Sequence, residues 1–165
     1  MDYPEIKPSP TSTPERTAVL LIAHGSRQQA ANDDLHELAG RFIAEGGYPI
    51  VEACFLELAE PDIPTGGERC VARGGTRVLM IPYFLSAGVH LRRDLTAARD
   101  DMSRRHPDVE FLLGSPLGPH PLLDHLVAIR VRELEGVLDL TRCEDRVPGA
   151  GQSEMKMSEA TDNST

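Results

Sequence analysis

The sequence predicts an α/β domain built on a four-stranded parallel sheet of order 2-1-3-4. Two observations carry this prediction. Four short apolar runs alternate along the chain with four segments of helical periodicity. The runs are rich in Val, Ile and Leu with few polar residues, which is typical of strands buried on both faces. Crossovers of this kind are right-handed and place helices on both faces of the sheet.

The first half of the pattern begins with the apolar run TAVLLIA. Strands are predicted at 17–23 and 49–57, and helices at 31–47 and within about 62–73. Gly46 and Gly47 end the first helix, as glycines commonly do. Gly66 and Gly67 each cost about 1 kcal/mol relative to alanine inside a helix, so the second helix is expected to be short or frayed.

The second half repeats the alternation. Strands are predicted at 76–85, interrupted by Pro82, and at 109–118, with helices at about 91–106 and 120–134. Residues 1–16 contain four prolines and little to bury, and residues 141–165 are polar, so both ends are predicted to be disordered. The folded domain is therefore expected to span 17–140.

The charge of the chain argues against nucleic acid as a partner. The net charge is −9, and the 17 basic residues comprise 15 arginines and two lysines. Non-specific nucleic-acid binding depends on neutralising phosphates, which an acidic chain does poorly. A guanidinium binds carboxylates through two parallel hydrogen bonds, so the arginine bias suggests an anionic ligand.

Neither a membrane nor an oxidising compartment is indicated. No run approaches the roughly 20 apolar residues that span a bilayer, and the N-terminal residues lack an apolar core of signal-peptide type. Cys54, Cys70 and Cys143 show no zinc-like spacing. The chain is therefore expected to be cytoplasmic, with reduced cysteines that carry no chemistry.

Two histidines follow strands that are neighbours in the predicted sheet. His24 ends the stretch AVLLIAH after the first strand, and His90 ends SAGVH after the third. Ligands of doubly wound sheets bind outside the carboxyl ends of the strands, where the strand order reverses. Glu57, at the end of the second strand, adds a carboxylate. Neutral imidazoles suit Co²⁺, Fe²⁺, Ni²⁺ or Zn²⁺, and a carboxylate completes an open site or acts as a base.

Several other functions need motifs that the chain lacks. The segment AHGSRQ has no G-x-S-x-G frame for a nucleophilic serine. Phosphohistidine enzymes place an arginine before the histidine, where this chain has Ala23. Neither G-x-x-x-x-G-K-[ST] nor G-x-G-x-x-G occurs, so neither ATP nor a dinucleotide is expected as cofactor.

Four motifs in order resemble the small single-domain sirohydrochlorin chelatases, class II chelatases of cobalamin and siroheme synthesis. They are LLIAHGSR, FLELAEPDIP, VLMIPYFLSAGVHLRRDL and SPLGPHPLLDHLVAIR, within residues 18–131. The resemblance implies a chelatase-like (flavodoxin-like) three-layer sandwich that pairs as a homodimer. It implies that His24 and His90 bind the metal and that Glu57 assists metal handling or proton removal. The chain departs from the family's D-I-P after the second histidine, with Asp94-Leu95-Thr96.

The implied activity is insertion of Co²⁺ into sirohydrochlorin, with no cofactor beyond the substrate metal. A flat macrocycle bearing carboxylates needs an apolar crevice with arginines at its rim. The candidate substrate-binding residues lie next to the two histidines in sequence: Ser26, Arg27, Leu85, Ser86, Ala87, Gly88, Val89, Arg92 and Arg93. His120, after the fourth strand, is a rim contact or, more simply, part of a helix start.

Three alternatives remain open. In the first, the metal is Fe²⁺ and the product siroheme, since Co²⁺ and Fe²⁺ share ligands and geometry. In the second, the protein is a non-catalytic metal carrier that uses the same histidines. In the third, it is a tetrapyrrole-binding protein that needs no metal.

Overall fold

The structure, a computed structural model, describes residues 16–45 and 47–136. The elements alternate along the chain in this order: β1 (Thr17–Ala23), α1 (Gln29–Ala44), β2 (Ile50–Phe55), α2 (Ile63–Ala72), β3 (Arg77–Pro82), α3 (Val89–Arg105), β4 (Glu110–Leu113) and α4 (Pro121–Leu134). Three predictions fall on residues that the structure does not describe. They concern the disordered ends (except Arg16), the last residues of the predicted domain and the role of Gly46 in ending the first helix.

All four strands form one parallel sheet of order β2-β1-β3-β4, as predicted. The register pairs Ala23 with Phe55 and Ile22 with Pro82. β3 ends at Pro82, as expected of a residue that has no N–H to donate to a central ladder. β1 therefore lies between β2 and β3, and the residues that follow these three strands leave the sheet side by side at its carboxyl edge.

Alternate residues of the strands enter two separate cores. On one face, Leu20 and Met80 pack with Leu95 and Met102 of α3 and with residues of α2. On the other, Val19, Leu21 and Phe55 pack with Leu35 and Ala39 of α1. Burial on both faces explains why β1 is a continuous apolar run. Together, α1, the sheet and the α2–α3 pair give the predicted three-layer sandwich.

α2 is the shortest of the four described helices, as expected for a short helix within 62–73, but Gly66 and Gly67 do not fray it. The helix runs continuously from Ile63 to Ala72 and buries both glycines. A Cβ on Gly66 would lie 2.8 Å from the Cβ of Cys54, and one on Gly67 would lie 2.7 Å from Cε of Met102. Close packing against Cys54 of β2 therefore favours glycine at position 66 and offsets its low helix propensity, whereas the flexible end of Met102 could move away from a Cβ at position 67.

Two element ends differ from the prediction in a way that affects the site. α3 begins at Val89 instead of about residue 91, so His90 belongs to its first turn and not to the preceding loop. β4 is only Glu110–Leu113, and residues 114–120 form a loop at the carboxyl edge. The loop after β4 contains apolar residues because it packs against its neighbours. In the sequence such residues look like a continuation of the strand, which explains why β4 is shorter than predicted.

Asp62 caps the N-terminus of α2, and its removal is expected to destabilise the fold. Its Oδ1 accepts a hydrogen bond from the Thr65 backbone N–H at 2.9 Å. We expect Asp62→Ala to lower the free energy of unfolding at neutral pH by about 1 kcal/mol, measured by denaturant titration.

The contribution of this cap is expected to depend on pH. Hydrogen bonds from the Thr65 side chain and backbone hold the pKa of Asp62 below its usual value. The folded state therefore gains stability above the unfolded-state pKa of Asp62 and loses it as the pH falls through the lowered value. Asp62→Asn, which keeps an acceptor but does not titrate, is the control. An equal loss for Asp62→Ala in neutral and strongly acidic solution would contradict the assignment.

The sheet and the first three helices belong to one compact unit that ends at Leu123, and most of α4 lies in a second unit. No residue of α4 is buried. Among the described residues, no helix is both long and apolar enough to cross a membrane.

Candidate functional site at the carboxyl edge of the sheet

The side chains of His24 and Glu57 lie within hydrogen-bond distance of each other at the carboxyl edge. His24 Nε2 lies 3.0 Å from Glu57 Oε1, and the two side chains are 56% and 57% exposed. The backbone pairing of β1 with β2 continues past the ends of both strands and brings His24 and Glu57 together. The Leu56 N–H donates to the Ala23 carbonyl at 2.9 Å, and the Glu57 N–H donates to the His24 carbonyl at 3.0 Å. The structure thus joins two of the three predicted catalytic residues.

Gly25 allows this close approach of the two loops. Its φ is +93°, a conformation that costs residues with a Cβ roughly 1–2 kcal/mol. A Cβ at this position would overlap the backbone carbonyl oxygen of Glu57. The glycine of the His-Gly-Ser-Arg motif therefore has a steric role, which is to hold the main chain of His24 against that of Glu57.

The segment after Glu57 is a compact loop that returns to β2. The Phe55 N–H donates to the Pro61 carbonyl at 2.9 Å, and this contact closes the loop. Leu58 has a φ of +64°, which is strained for a residue with a branched side chain, and is 52% exposed. Strained backbone of this kind concentrates at functional sites. The loop presents an apolar side chain next to the carboxylate of Glu57.

Asn32 fixes the His24 loop from the first turns of α1, a role that the sequence-based reasoning missed. Its Oδ1 accepts from the Ser26 N–H at 2.9 Å, and its Nδ2 donates to the Ser26 carbonyl at 2.8 Å. Asn32 is only 4% exposed. A signal existed, because Asn32 falls on the same buried stripe of α1 as Leu35 and Ala39. A buried amide is expected to hydrogen-bond to something.

His90 lies in the first turn of α3, after the N-cap residue Gly88. Among the described residues, no three or more His, Cys, Asp or Glu side chains are grouped so as to hold a metal ion. Within this chain, His90 therefore does not complete a three-ligand group with His24 and Glu57. The metal-binding roles of the two histidines stay predictions.

The candidate substrate-binding residues occupy the loops and the helix start around these three side chains. Ser26 and Ala87 are partly buried; the rest are exposed: Arg27, Leu85, Ser86, Gly88, Val89, Arg92 and Arg93. Ser26 Oγ accepts from the Gln28 N–H at 3.0 Å. Leu85 and Val89 are 70% and 82% exposed, so they offer apolar surface at the edge where the histidines lie.

Arg27, Arg92 and Arg93 have no carboxylate within 4.0 Å in the part of the chain that the structure describes, whereas most other arginines do. The positive charges at the carboxyl edge are therefore available to an anionic ligand. That these arginines bind the carboxylates of a ligand stays a prediction.

Two further predictions are confirmed. The Leu122 N–H donates to His120 Nδ1 at 3.1 Å, so His120 serves the start of α4. Cys54 is buried, as predicted, and so is Cys70. Burial raises the pKa of both thiols, that of Cys70 to about 12.

Several known proteins are similar to this chain in sequence. A sequence model of the CbiX family matches residues 18–134. The sirohydrochlorin ferrochelatase of Arabidopsis thaliana chloroplasts is 37% identical, over 69% of this chain and 51% of that protein. The sirohydrochlorin cobaltochelatase of Priestia megaterium is 35% identical, over 74% of this chain and 40% of that protein. The chain thus spans about half the length, or less, of these relatives.

Solved structures show the same fold. A cobalamin-biosynthesis CbiX protein from Marinobacter aquaeolei VT8 is 28% identical with a TM-score of 0.63, and the match covers 73% of this chain and 98% of that one. The sirohydrochlorin chelatase SirB of Bacillus subtilis subspecies spizizenii, in complex with cobalt, is 29% identical with a TM-score of 0.66, over 72% of this chain and 51% of that one. By its sequence from residue 18 to 134 and by its fold, this chain belongs to the CbiX family.

Proposed function

We propose that this protein inserts a divalent metal ion, Co²⁺ in the first instance and Fe²⁺ as the alternative, into sirohydrochlorin. The observation that carries the proposal is the contact of His24 with Glu57 at the carboxyl edge of a CbiX-family sheet. Both metals are proposed because the relatives include cobaltochelatases and ferrochelatases. The two ions share ligand preferences, and cells select between them largely by availability.

The reaction requires metal ligands and a proton acceptor. Two pyrrole N–H bonds break, the ring nitrogens bind the metal, and two protons leave. In the proposal, neutral His24 and His90 hold the metal at one face of the ring. Glu57 accepts a hydrogen bond from His24 Nε2–H, which leaves Nδ1 of His24 free to bind the metal. The second oxygen of Glu57 is available to receive a pyrrole proton.

The openness of the site suits a metal that is a substrate. His24 and Glu57 are more than half exposed, so metal and macrocycle reach them without a rearrangement of the core. A site with few protein ligands keeps coordination positions free, whereas a closed site with four ligands retains its metal. The metal must leave with the ring, so loose binding is an advantage.

We further propose that two copies of the chain pair. In this proposal a second copy supplies the other half of a crevice at the carboxyl edge of the sheet. Leu58, Leu85 and Val89, all more than half exposed, offer apolar surface at that edge. Sedimentation equilibrium is expected to give twice the mass of the chain. A fully active monomer would overturn this part of the proposal.

A titration followed by absorbance distinguishes the proposed function from its alternatives. Protein, metal-free ring and Co²⁺ or Fe²⁺ are combined anaerobically in pairs and then together. A chelatase converts the spectrum of the free ring to that of the metal complex faster than a control without protein. A metal carrier binds the ion without that acceleration. A tetrapyrrole-binding protein shifts the ring spectrum without metal and does not speed insertion, and either of these results rejects the proposal.

Asn32 is expected to support activity by positioning the His24 loop. Asn32→Leu leaves the Ser26 N–H and carbonyl without their partners, which is expected to cost about 1–3 kcal/mol of stability. Because the loop also carries His24, we expect kcat for insertion to fall about tenfold or more at a temperature where the variant is folded. Steady-state kinetics and circular dichroism measure the two effects.

Two variants control for simple destabilisation. Asn32→Asp keeps the acceptor for the Ser26 N–H and is expected to retain more activity than Asn32→Leu. Gln29→Ala removes an exposed amide from the first turn of α1 that pairs with Asp33 and not with the loop. Its kcat is expected to match the unmodified protein. Full kcat in folded Asn32→Leu would show that Asn32 has only a structural role.

A further inference from the structure

A cavity separate from the histidines opens at the same edge of the sheet. Its volume is about 390 Å³, and it lies between the start of α3 and the loop that follows β4. Arg92 and Leu95 line it from α3, and Ser115 and Gly118 line it from the loop. Neither His24, Glu57 nor His90 contributes to its lining. The cavity is thus a second recess beside the proposed metal site, next to β3 and β4.

Main-chain contacts hold the walls of this cavity in place. The Gly114 N–H donates to the Met80 carbonyl at 2.9 Å, and the Gly118 N–H donates to the Phe84 carbonyl at 3.3 Å. A Cβ on Gly118 would overlap the carbonyl oxygen of Leu85, so the two loops touch through their backbones. The recess is therefore formed before any ligand arrives, which reduces the entropic cost of binding.

Arg92 supplies a fixed and unneutralised positive charge to the cavity. Its Nε donates to the Ala87 carbonyl at 3.1 Å, which orients the guanidinium and leaves its two terminal nitrogens free. The first turn of α3 contains no acidic residue. Farther along the same helix, Arg99 and Arg104 pair with Asp100 and Asp101. Within the described residues, Arg92 has no such partner, so its charge is available to a bound anion.

Ser115 adds a second group suited to an anion. It is an exposed residue that lines the same recess as Arg92. A guanidinium and a hydroxyl on the walls of one recess suit the acceptor oxygens of a carboxylate. Leu113, which is partly buried, contributes apolar surface for methylene groups. The combination suits a short aliphatic chain that ends in a carboxylate.

We propose that this cavity binds one acetate or propionate arm of the macrocycle, with Arg92 pairing its carboxylate. The inference rests on the proposed function and deepens it by identifying how the ring is oriented. The recess of about 390 Å³ lies at the low end of the about 300–1,000 Å³ that ligand pockets typically enclose, and we assign it one arm of the ring. The rest of the macrocycle remains outside it, at the carboxyl edge where His24 and Glu57 lie.

Substitution of Arg92 tests the assignment. Arg92→Gln keeps a polar side chain but removes the charge and the two terminal nitrogens, and we expect KM for the ring to rise about tenfold or more with little change in kcat. Arg104→Gln, the same substitution on the same helix at a surface ion pair, is the control and is expected to leave KM unchanged. Arg93→Gln, which changes a neighbouring arginine outside the cavity lining, is expected to have a smaller effect than Arg92→Gln.

A binding measurement separates failure of this inference from failure of the proposed function. The Kd for the metal-free ring, measured by absorbance without metal, is expected to rise about tenfold or more in Arg92→Gln whether or not the protein catalyses insertion. If Arg92→Gln binds the ring as tightly as the unmodified protein, the cavity does not hold an arm. Equal weakening by Arg93→Gln would show a diffuse charge effect and would likewise overturn the assignment.

Discussion

His24→Ala is expected to slow metal insertion by about a hundredfold or more while the domain stays folded. The substitution removes a proposed metal ligand and also the partner of Glu57, whose Oε1 lies 3.0 Å from His24 Nε2. Removal of a single acid–base group typically costs about 10²–10⁴ in rate. The imidazole is 56% exposed, so stability is expected to change by no more than about 0.5 kcal/mol. Anaerobic insertion kinetics and thermal unfolding measure the two quantities.

Companion variants assign the separate roles. His90→Ala is expected to cause a comparable loss, because the second imidazole is the other proposed ligand. Glu57→Gln keeps an acceptor for His24 but is a poor base, so it is expected to bind metal while inserting it slowly. His36→Ala is the control, since the ring of His36 packs edge-on against Phe55 on α1's side of the sheet. Normal insertion by His24→Ala or His90→Ala would refute the metal-holding role of that residue.

Gly25→Ala is expected to have the second largest effect, on both activity and stability. The φ of +93° costs alanine roughly 1–2 kcal/mol, and its Cβ would overlap the Glu57 carbonyl oxygen. The overlapping atom belongs to the backbone, so the two loops must separate. We expect the free energy of unfolding to fall by more than 2 kcal/mol, roughly the conformational cost plus strain. Insertion is expected to fall at least about tenfold, because the His24–Glu57 distance changes.

Gly74→Ala is a matched control for this prediction. Gly74 has a φ of +94°, but nothing lies within 4 Å of the position its Cβ would take. It therefore carries the conformational cost without the overlap, and it lies between α2 and β3, far along the chain from His24. The difference between the losses of unfolding free energy in the two variants measures the cost of separating Gly25 from Glu57. Equal destabilisation, with activity retained in both, would show that this contact does not position the site.

The sheet was predictable from the sequence because its strands are buried on both faces. Such strands must be apolar at consecutive positions, so Thr17–Ala23 is recognisable without any other information. The three layers follow from the alternation of strands and helices, whereas the order β2-β1-β3-β4 is one of the two common orders that this alternation allows. The closeness of Glu57 to His24 follows from the same pairing, which continues beyond both strands.

What the sequence did not reveal depends on contacts between distant residues. The packing of Gly66 against Cys54 reverses the effect expected from helix propensity alone. α3 begins at Val89, so His90 lies on a helix. The N-cap residue is Gly88, which has no side chain to cap the helix, so nothing in the sequence marks this start. Asn32 holds the main chain of Ser26 because its amide points towards that loop, and the sequence does not show this direction. The cavity at Arg92 is formed partly by the loop after β3 and partly by the loop after β4, which are distant in sequence. Local propensity contains none of this information.

The number of rings that each chain converts tests the central claim most directly. Sirohydrochlorin in large excess over the 165-residue chain is mixed anaerobically with Co²⁺ or Fe²⁺, and the loss of the metal-free spectrum is followed. The account predicts many conversions per chain at a rate well above that without protein, and the ratio of the two rates ranks the metals. Conversion that stops at one ring per chain, or that proceeds at the rate without protein, would contradict it.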